Sequence, residues 1–554
     1  MRKQHFRKED AAFLSFLRME RENVCRIQYL YPYLQHGRTE TGEENMFCTV
    51  NSMALQGINA VPVRVEVDVG NGLPGINLVG FLSAEVREAR ERVRVALRNA
   101  GYPVPAKKIT VNLAPADLRK EGTGFDLAIA IGILCGLEQI PEELIEDTCF
   151  IGEIGLDGIL RPVPGALSCT FAAKEKGLKK IYVPLQNGEE AAMVDGISVY
   201  ASKTLSDVIE DFLGNSKTEP VERSFRAEPT VIEEDFKDIA GQFLAKRCAV
   251  IAAAGGHNLL LLGPPGAGKT MLAKRIPGIL PAIRPEESIE LTKIYSVAGL
   301  IRPEDGRVMK RPFRSPHHTC TLAGMTGGGA RVPVPGEITL ASGGVLFLDE
   351  FPEFKRECIE ALRQPLEEHR IVISRLYGSY SLPASFLLVA AMNPCPCGYY
   401  PDRNRCTCSP DRIRRYMGKV SQAIIDRIDL CVEMSAVPFR DLTKNDTGMS
   451  SAEIRKIVED CRKRQEERYL DEPFKLNAEI PGYAIPRYCK MTEGAQQKLT
   501  AAFQSQGFSA RLYDRIRRVS RTIADLSDEE VIGESHIAEA LLYHGTDIGR
   551  RHLT

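Results

Sequence analysis

The stretch that most constrains this chain runs from Asn258 to Leu272. Four leucines, Leu259 to Leu262, are followed by Gly263, Pro264, Pro265, Gly266, Ala267, Gly268, Lys269 and Thr270. The helix-forming run Met271, Leu272, Ala273, Lys274, Arg275 comes next. An apolar strand, a glycine-rich loop and a helix start make a phosphate-binding loop of the form G-x-x-x-x-G-K-T. The glycines let backbone N–H groups wrap phosphate oxygens, and the helix N-terminus adds partial positive charge. In this pattern Lys269 reaches the terminal phosphates of ATP and Thr270 holds Mg²⁺.

A second stretch, Gly343 to Glu350, is an apolar strand ending in two acids. Asp349 is placed to bind Mg²⁺ through water, and Glu350 to polarise the attacking water. Together the two stretches predict NTP hydrolysis by an α/β core with a parallel sheet. Asn393 ends another apolar strand, Phe386 to Met392. A polar amide at that tip, beside the phosphate loop, can bond the γ-phosphate or orient water.

A chain of 554 residues should hold about three domains. Its formal net charge is −1, so no strong basic field advertises nucleic acid or a membrane surface. No run of ~18 apolar residues occurs, and no membrane span is expected. The fifteen cysteines are scattered and odd in number, which suits a reducing cytoplasm better than a disulfide framework.

Residues 1–45 are poorly patterned, and Met46 or Met53 is the expected natural start. Residues 46–213 read as a mixed α/β domain. Val61, Val63, Val65, Val67 and Val69 alternate with polar residues as a half-buried strand. Ser83 can cap a helix carrying Val86, Ala89, Val93 and Ala96. Residues 214–229 are a polar linker, 230–440 the nucleotide core and 441–554 a helical lid. Cys358 to Arg370 is expected to be one helix, with a hairpin following over Ile371 to Leu382. His317 and His318 would face opposite sides of a strand, a poor arrangement for joint metal ligation.

Cys395, Cys397, Cys406 and Cys408 stand as two C-x-C pairs on a loop rich in Pro, Gly and Asn. Four thiolates so placed can form a tetrahedral Zn²⁺ site that staples the loop. Four reduced thiols without metal are the alternative.

Several segments resemble the magnesium-chelatase-like AAA+ ATPases of the ComM/YifB type. They include Gly72 to Gly75, Glu91 to Arg94, Val111 to Asp117, Lys120 to Asp126, Arg311 to Thr319 and Ser421 to Leu430. The resemblance covers residues 53 to 545 and implies a ribosomal-S5/Lon-protease-like N-terminal domain, an AAA+ core and a helical lid. Lon-type proteolysis uses a Ser–Lys dyad. Here Gly124 takes the serine position and Pro164 to Thr170 carries no lysine, so the domain is expected to be non-proteolytic.

The resemblance places Gln242 beside the nucleotide's base and makes Asn393 sensor 1. It makes Arg427 the arginine finger, although Gln422 and Ala423 stand where the family has Gly-Pro. It makes Arg511 the sensor 2 contact to the γ-phosphate. An arginine acting on a neighbour's site implies a closed ring, in this family a hexamer. Family members of the ComM kind are DNA motors that drive branch migration during natural transformation. Hairpin tips near Arg331 and Arg375 would then grip DNA phosphates. The alternative is a chelatase-type or chaperone-like ATPase that remodels a protein partner. Chelatase motor subunits are expected to lack the S5-like domain, which argues against that alternative.

Overall fold

The computed structural model describes residues 46–215, 218–222, 234–301, 306–329, 333–375, 378–402, 404–436, 448–506 and 508–544. Residues 1–45, much of the linker, Arg331 and Tyr377 lie outside the described residues.

The first half builds on β1 (Met46–Gln56), β2 (Asn59–Gly70), β3 (Gly75–Val79), β4 (Lys108–Ala114), β5 (Thr148–Phe150), β6 (Lys180–Pro184) and β7 (Ser198–Ser202). They form one sheet in the order β3–β4–β2–β1–β5–β6–β7. Along β2 the alternation works as the sequence predicts: Val63, Val65, Val67 and Val69 are buried. Helix α1 (Ala84–Asn99) starts after Ser83 and turns Val86, Ala89, Val93 and Ala96 inward. Helix α2 (Asp126–Gly136) is buried all round, as its unbroken apolar run requires. Its one acid, Asp126, accepts from Arg92 Nε at 2.8 Å. Helix α3 (Ala166–Glu175) packs on β2 and meets the second half of the chain.

That second half contains α4 (Phe243–Gly255), β8 (Leu259–Leu262), α5 (Lys269–Ile279), α6 (Pro285–Val297), β9 (Phe313–Arg314), β10 (Val345–Leu348), β11 (Leu387–Met392), α7 (Pro410–Met417) and β12 (Leu430–Glu433). The strands form a parallel sheet in the order β9–β10–β11–β8–β12. The four leucines of β8 divide between its faces. Leu259 and Leu261 join Leu272 and Ile276 of α5, while Leu260 and Leu262 join Leu291 and Ile294 of α6. Burying one leucine side chain contributes roughly 1.5–3 kcal/mol, so this strand anchors two cores at once. Leu262 stands opposite Met392, and Leu348 opposite Ala390. Gly263, Asp349 and Asn393 therefore leave the sheet at one edge.

The helical region that follows includes α8 (Ser451–Arg468), α9 (Ala510–Leu526) and α10 (Glu534–Leu542). Ile454 and Val458 of α8, with Ile516, Val519 and Ile523 of α9, close over the Leu259 and Leu261 face. Arg462 ties α8 to α4 through the Ala253 carbonyl, with Nη2 at 2.7 Å.

Two sequence expectations need correction. Cys358 to Arg370 is not one helix: it breaks between Arg356–Glu360 and Arg363–Glu368, and Arg370 already begins a strand. Pro365 has no N–H to offer the Ala361 carbonyl, which is where the break falls. His317 and His318 do not diverge on a strand. They lie on a loop past β9, with ring centroids 4.1 Å apart. The hairpins do form. Gly327–Gly328 pairs with Val334–Pro335, and Arg370–Arg375 pairs with Gly378–Pro383.

The two halves meet at α6. Glu190 Oε1 accepts the Leu167 N–H at 2.9 Å and the Ser296 hydroxyl, and Gly165 N donates to the Ser296 carbonyl at 3.3 Å.

Candidate active site

The loop after β8 turns sharply enough to need φ of 78° at Gly266 and 90° at Gly268, values that side chains with a Cβ rarely adopt. Lys269, the first residue of α5, is buried and curls back over the loop. Its Nζ donates to the carbonyls of Gly263 at 2.7 Å and Pro264 at 3.0 Å, and to Asn393 Oδ1 at 3.0 Å. Burial lowers the Lys269 pKa, and the Asp349 charge pulls it the other way. Gln242 caps α4 in a left-handed conformation and clamps the loop from outside. Its Nε2 donates to the Ala267 carbonyl at 3.0 Å and the Ser435 carbonyl at 2.7 Å.

Thr270 Oγ1 donates to Asp349 Oδ2 at 2.8 Å, so hydroxyl and carboxylate already converge on one point. Both are hard oxygen donors of the kind Mg²⁺ takes. Asp349 Oδ1 accepts the Glu350 N–H at 2.9 Å. Glu350 is exposed, at φ 52°, and its Oε2 lies 3.2 Å from His318 Nδ1. The structure thus brings Lys269, Thr270, Asp349, Glu350 and Asn393 to the carboxyl edge of the sheet, with Gln242 against the loop.

It does not bring Arg427 and Arg511 there. Both line a cleft with Asn258, Gly344, Phe386 and Asp429, residues at the amino ends of β8, β10, β11 and β12. That is the opposite edge of the sheet from Gly263 and Asn393. Arg427 follows the short helix Gln422–Ile425. Its guanidinium pairs with neither Asp426 nor Asp429, the neighbours its sequence suggests. It bonds Glu367 Oε1 and the Ala423 carbonyl, each at 2.5 Å. Arg511 is exposed on the first turn of α9.

Two residues that position this cleft escape a reading of the sequence. Arg515, one turn beyond Arg511 and 6% exposed, donates to the carbonyls of Ile428 at 2.6 Å and Ile425 at 3.2 Å. Asn258 Nδ2 donates to the Arg427 carbonyl at 3.0 Å. Together they hold the Arg427 loop from two sides. The i, i+4 spacing from Arg511 was the available signal for Arg515. His318 was visible only as half of a histidine pair, because its partner Glu350 lies far along the chain.

Cys395, Cys397, Cys406 and Cys408 come together with all four sulfurs within 4.8 Å of one another, the one such group among the described residues. In the N-terminal sheet domain, Gly124 accepts the Gly152 N–H at 2.9 Å. The nearby hydroxyls are tied to carbonyls: Ser168 donates to Ile58 at 2.6 Å and Thr170 to Ala166 at 2.8 Å. No described helix is long and apolar enough to cross a membrane.

Comparison with known proteins agrees with this architecture. A family model described as magnesium chelatase, subunit ChlI, matches residues 235–442. A model described as subunit ChlI of Mg-chelatase matches residues 65–187, and one for the ChlI C-terminal region matches 448–544. The model over 65–187 carries a chelatase subunit's name, so the sheet domain no longer argues against a chelatase-type reading. Competence protein ComM of Haemophilus influenzae is 45% identical over 504 residues, 89% of this chain and 96% of that protein. YifB of Escherichia coli K12 is 43% identical over 503 residues, 90% of this chain and 97% of that one. Lon protease 2 of Bacillus subtilis is 28% identical over 197 residues, 32% of this chain and 35% of that protein. With identity of this order along nearly the full length of two relatives, and a core that has the AAA+ strand order, the chain belongs to the ComM/YifB family of magnesium-chelatase-like AAA+ ATPases.

Proposed function

We propose that this protein is a Mg²⁺-dependent ATPase that assembles as a hexameric ring and drives branch migration of DNA, in recombination or natural transformation, in the cytoplasm. The observation that carries the reading is the separation of the two halves of the site. Lys269, Thr270, Asp349, Glu350 and Asn393 lie at one edge of the core sheet, and Arg427 and Arg511 line a cleft at the other. One chain cannot bring both sets to one phosphate. A head-to-tail contact sets the arginines of one subunit against the phosphate loop of the next, and such contacts close into rings.

In this reading the backbone of Gly263 to Gly268 and Lys269 hold the phosphates, while Gln242 anchors the loop beside the base. Thr270 and Asp349 hold Mg²⁺. Glu350 takes a proton from the attacking water, and Asn393 orients that water against the γ-phosphate. Arg427 and Arg511 arrive from the neighbouring subunit and neutralise charge as the γ-phosphoryl leaves. The four-cysteine loop adds a structural Zn²⁺. The sheet domain is non-proteolytic, since Gly124 offers no nucleophile and Ser168 and Thr170 are engaged by carbonyls.

The choice of DNA as track rests on the relative named a competence protein and on the hairpin Arg370–Pro383, whose exposed Arg375 stands next to the turn. Arginines on hairpin tips hold phosphates without reading bases, which gives affinity that falls steeply with salt. A mobile four-way junction with one labelled strand tests the reading. Wild-type protein with ATP should resolve it to duplexes, and Glu350→Gln protein should not. Junctions left intact by an active ATPase would favour a protein-remodelling motor, the reading suggested by the chelatase descriptions of the family models.

A further inference from the structure

The loop from Asn393 to Ser409 links β11 to α7 and holds no helix or strand among its described residues. Loops of this length without regular structure are uncommon in compact cores and need something to fix them. Its side chains form a small core of their own, in which Cys395, Cys406 and Cys408 are buried with Tyr400 and Ile413.

We propose that Cys395, Cys397, Cys406 and Cys408 bind one Zn²⁺ ion, and that this ion fixes the phosphate loop and Asn393 for ATP, so that nucleotide affinity depends on zinc occupancy. The proposal rests on the nucleotide reading given above and deepens it. The sulfurs fit the ion. Zn–S bonds of about 2.3 Å in a tetrahedron put the sulfurs about 3.8 Å apart. Cys395 and Cys406 are 3.8 Å apart, Cys395 and Cys397 3.3 Å, and all four lie within 4.8 Å. A disulfide needs about 2.05 Å, so these are not oxidised pairs.

Three contacts carry the loop's position to the nucleotide site. Gly398, between the two halves of the cluster, lies so close to the phosphate loop that a Cβ there would come 2.5 Å from Pro265 Cδ, and its φ is +84°. Asn393, two residues before Cys395, accepts from Lys269 at 3.0 Å. Cys408 directly precedes Ser409, whose hydroxyl accepts the Arg412 N–H and caps α7. That helix carries Tyr416, which is buried in one apolar cluster with Leu262, Leu348 and Met392, the strand residue that precedes Asn393. A metal holding Cys395, Cys397, Cys406 and Cys408 therefore fixes one wall of the phosphate loop and both ends of the segment that presents Asn393. Without the metal, ATP must order that segment itself as it binds, and loses affinity.

The test uses full-length protein purified anaerobically, with metal content read by mass spectrometry and ATP affinity by a fluorescent ATP analogue. Wild-type protein is expected to hold one zinc per chain. Cys406→Ser should lose zinc and bind the analogue about tenfold more weakly, the scale of one lost phosphate contact. Gly398→Ala should keep its zinc and bind more weakly, because the added Cβ pushes on Pro265. Should Cys406→Ser fail to fold, a thiol-blocking mercurial can strip the metal from the wild type while a dye reports its release. Affinity should then fall in step with zinc. Wild-type protein without zinc would overturn the site. Zinc release with unchanged affinity would overturn the coupling. Zinc-loaded protein that binds no ATP would refute the nucleotide reading, and the coupling with it, while the metal count still stands.

Discussion

His318 Nδ1 lies 3.2 Å from Glu350 Oε2, so the carboxylate assigned to activate water is engaged by a ring from the loop after β9. That loop leads into the inserted hairpin, in which Gly327–Gly328 pairs with Val334–Pro335. In the proposed mechanism this contact competes with the attacking water for the Glu350 carboxylate. His318→Ala is expected to raise ATP turnover severalfold without DNA and to shrink any stimulation by DNA. A coupled ATPase assay reads both, and a rate at or below wild type would contradict the restraint.

Lys269 and Glu350 should separate binding from chemistry. Lys269→Ala removes the cation that spans the loop and Asn393, and should abolish binding of a fluorescent ATP analogue. Glu350→Gln keeps the shape but cannot take a proton, so it should bind ATP normally and turn over about 10²–10⁴-fold more slowly. Tight ATP binding by Lys269→Ala would refute the loop assignment.

Arg427 and Arg511 should act across a subunit boundary. Either changed to Ala should leave ATP binding intact and cut turnover by about 10³-fold, the low end of what an arginine finger supplies. Mixing Arg427→Ala with Glu350→Gln protein should restore part of the activity, since some neighbouring pairs then hold one intact site. Mixed rings with no recovered ATPase would count against a finger in trans.

Arg515 should matter for the cleft without touching nucleotide. Its buried guanidinium holds the Ile425 and Ile428 carbonyls on either side of Arg427. Arg515→Met is expected to cost about 2–4 kcal/mol in chemical denaturation, because it strips the charged donor from the Ile428 carbonyl and leaves Ile425 only the Ile428 N–H. It should also lower turnover while ATP binding persists. Full ATPase activity in a destabilised Arg515→Met protein would show that Arg515 does not position Arg427.

What could be read from the sequence was what is local. Gly263 to Thr270 form one continuous turn, so residue types and spacing specified the geometry before any packing was known. The valines of β2 and the helix after Ser83 showed their buried faces through period alone. The arginines were different. Nothing near Arg427 in the chain reveals that its ion partner is Glu367, or that Arg511 shares its cleft, because sheet order and the packing of α9 set both. The break at Ala361, set by Pro365 four residues on, was legible in principle, but the apolar spacing on either side of it imitates a single helix. The four cysteines showed their number in the sequence, and only the fold showed that their loop leans on Pro265.

The most direct test of the central claim is the ATPase rate with and without four-way-junction DNA, single strands and plain duplex, at low and moderate salt, against Glu350→Gln protein as background. The account predicts strong stimulation that weakens as salt rises, largest with the junction. A robust, Glu350-dependent rate indifferent to every DNA would contradict a DNA motor and leave a ring ATPase whose substrate is a protein.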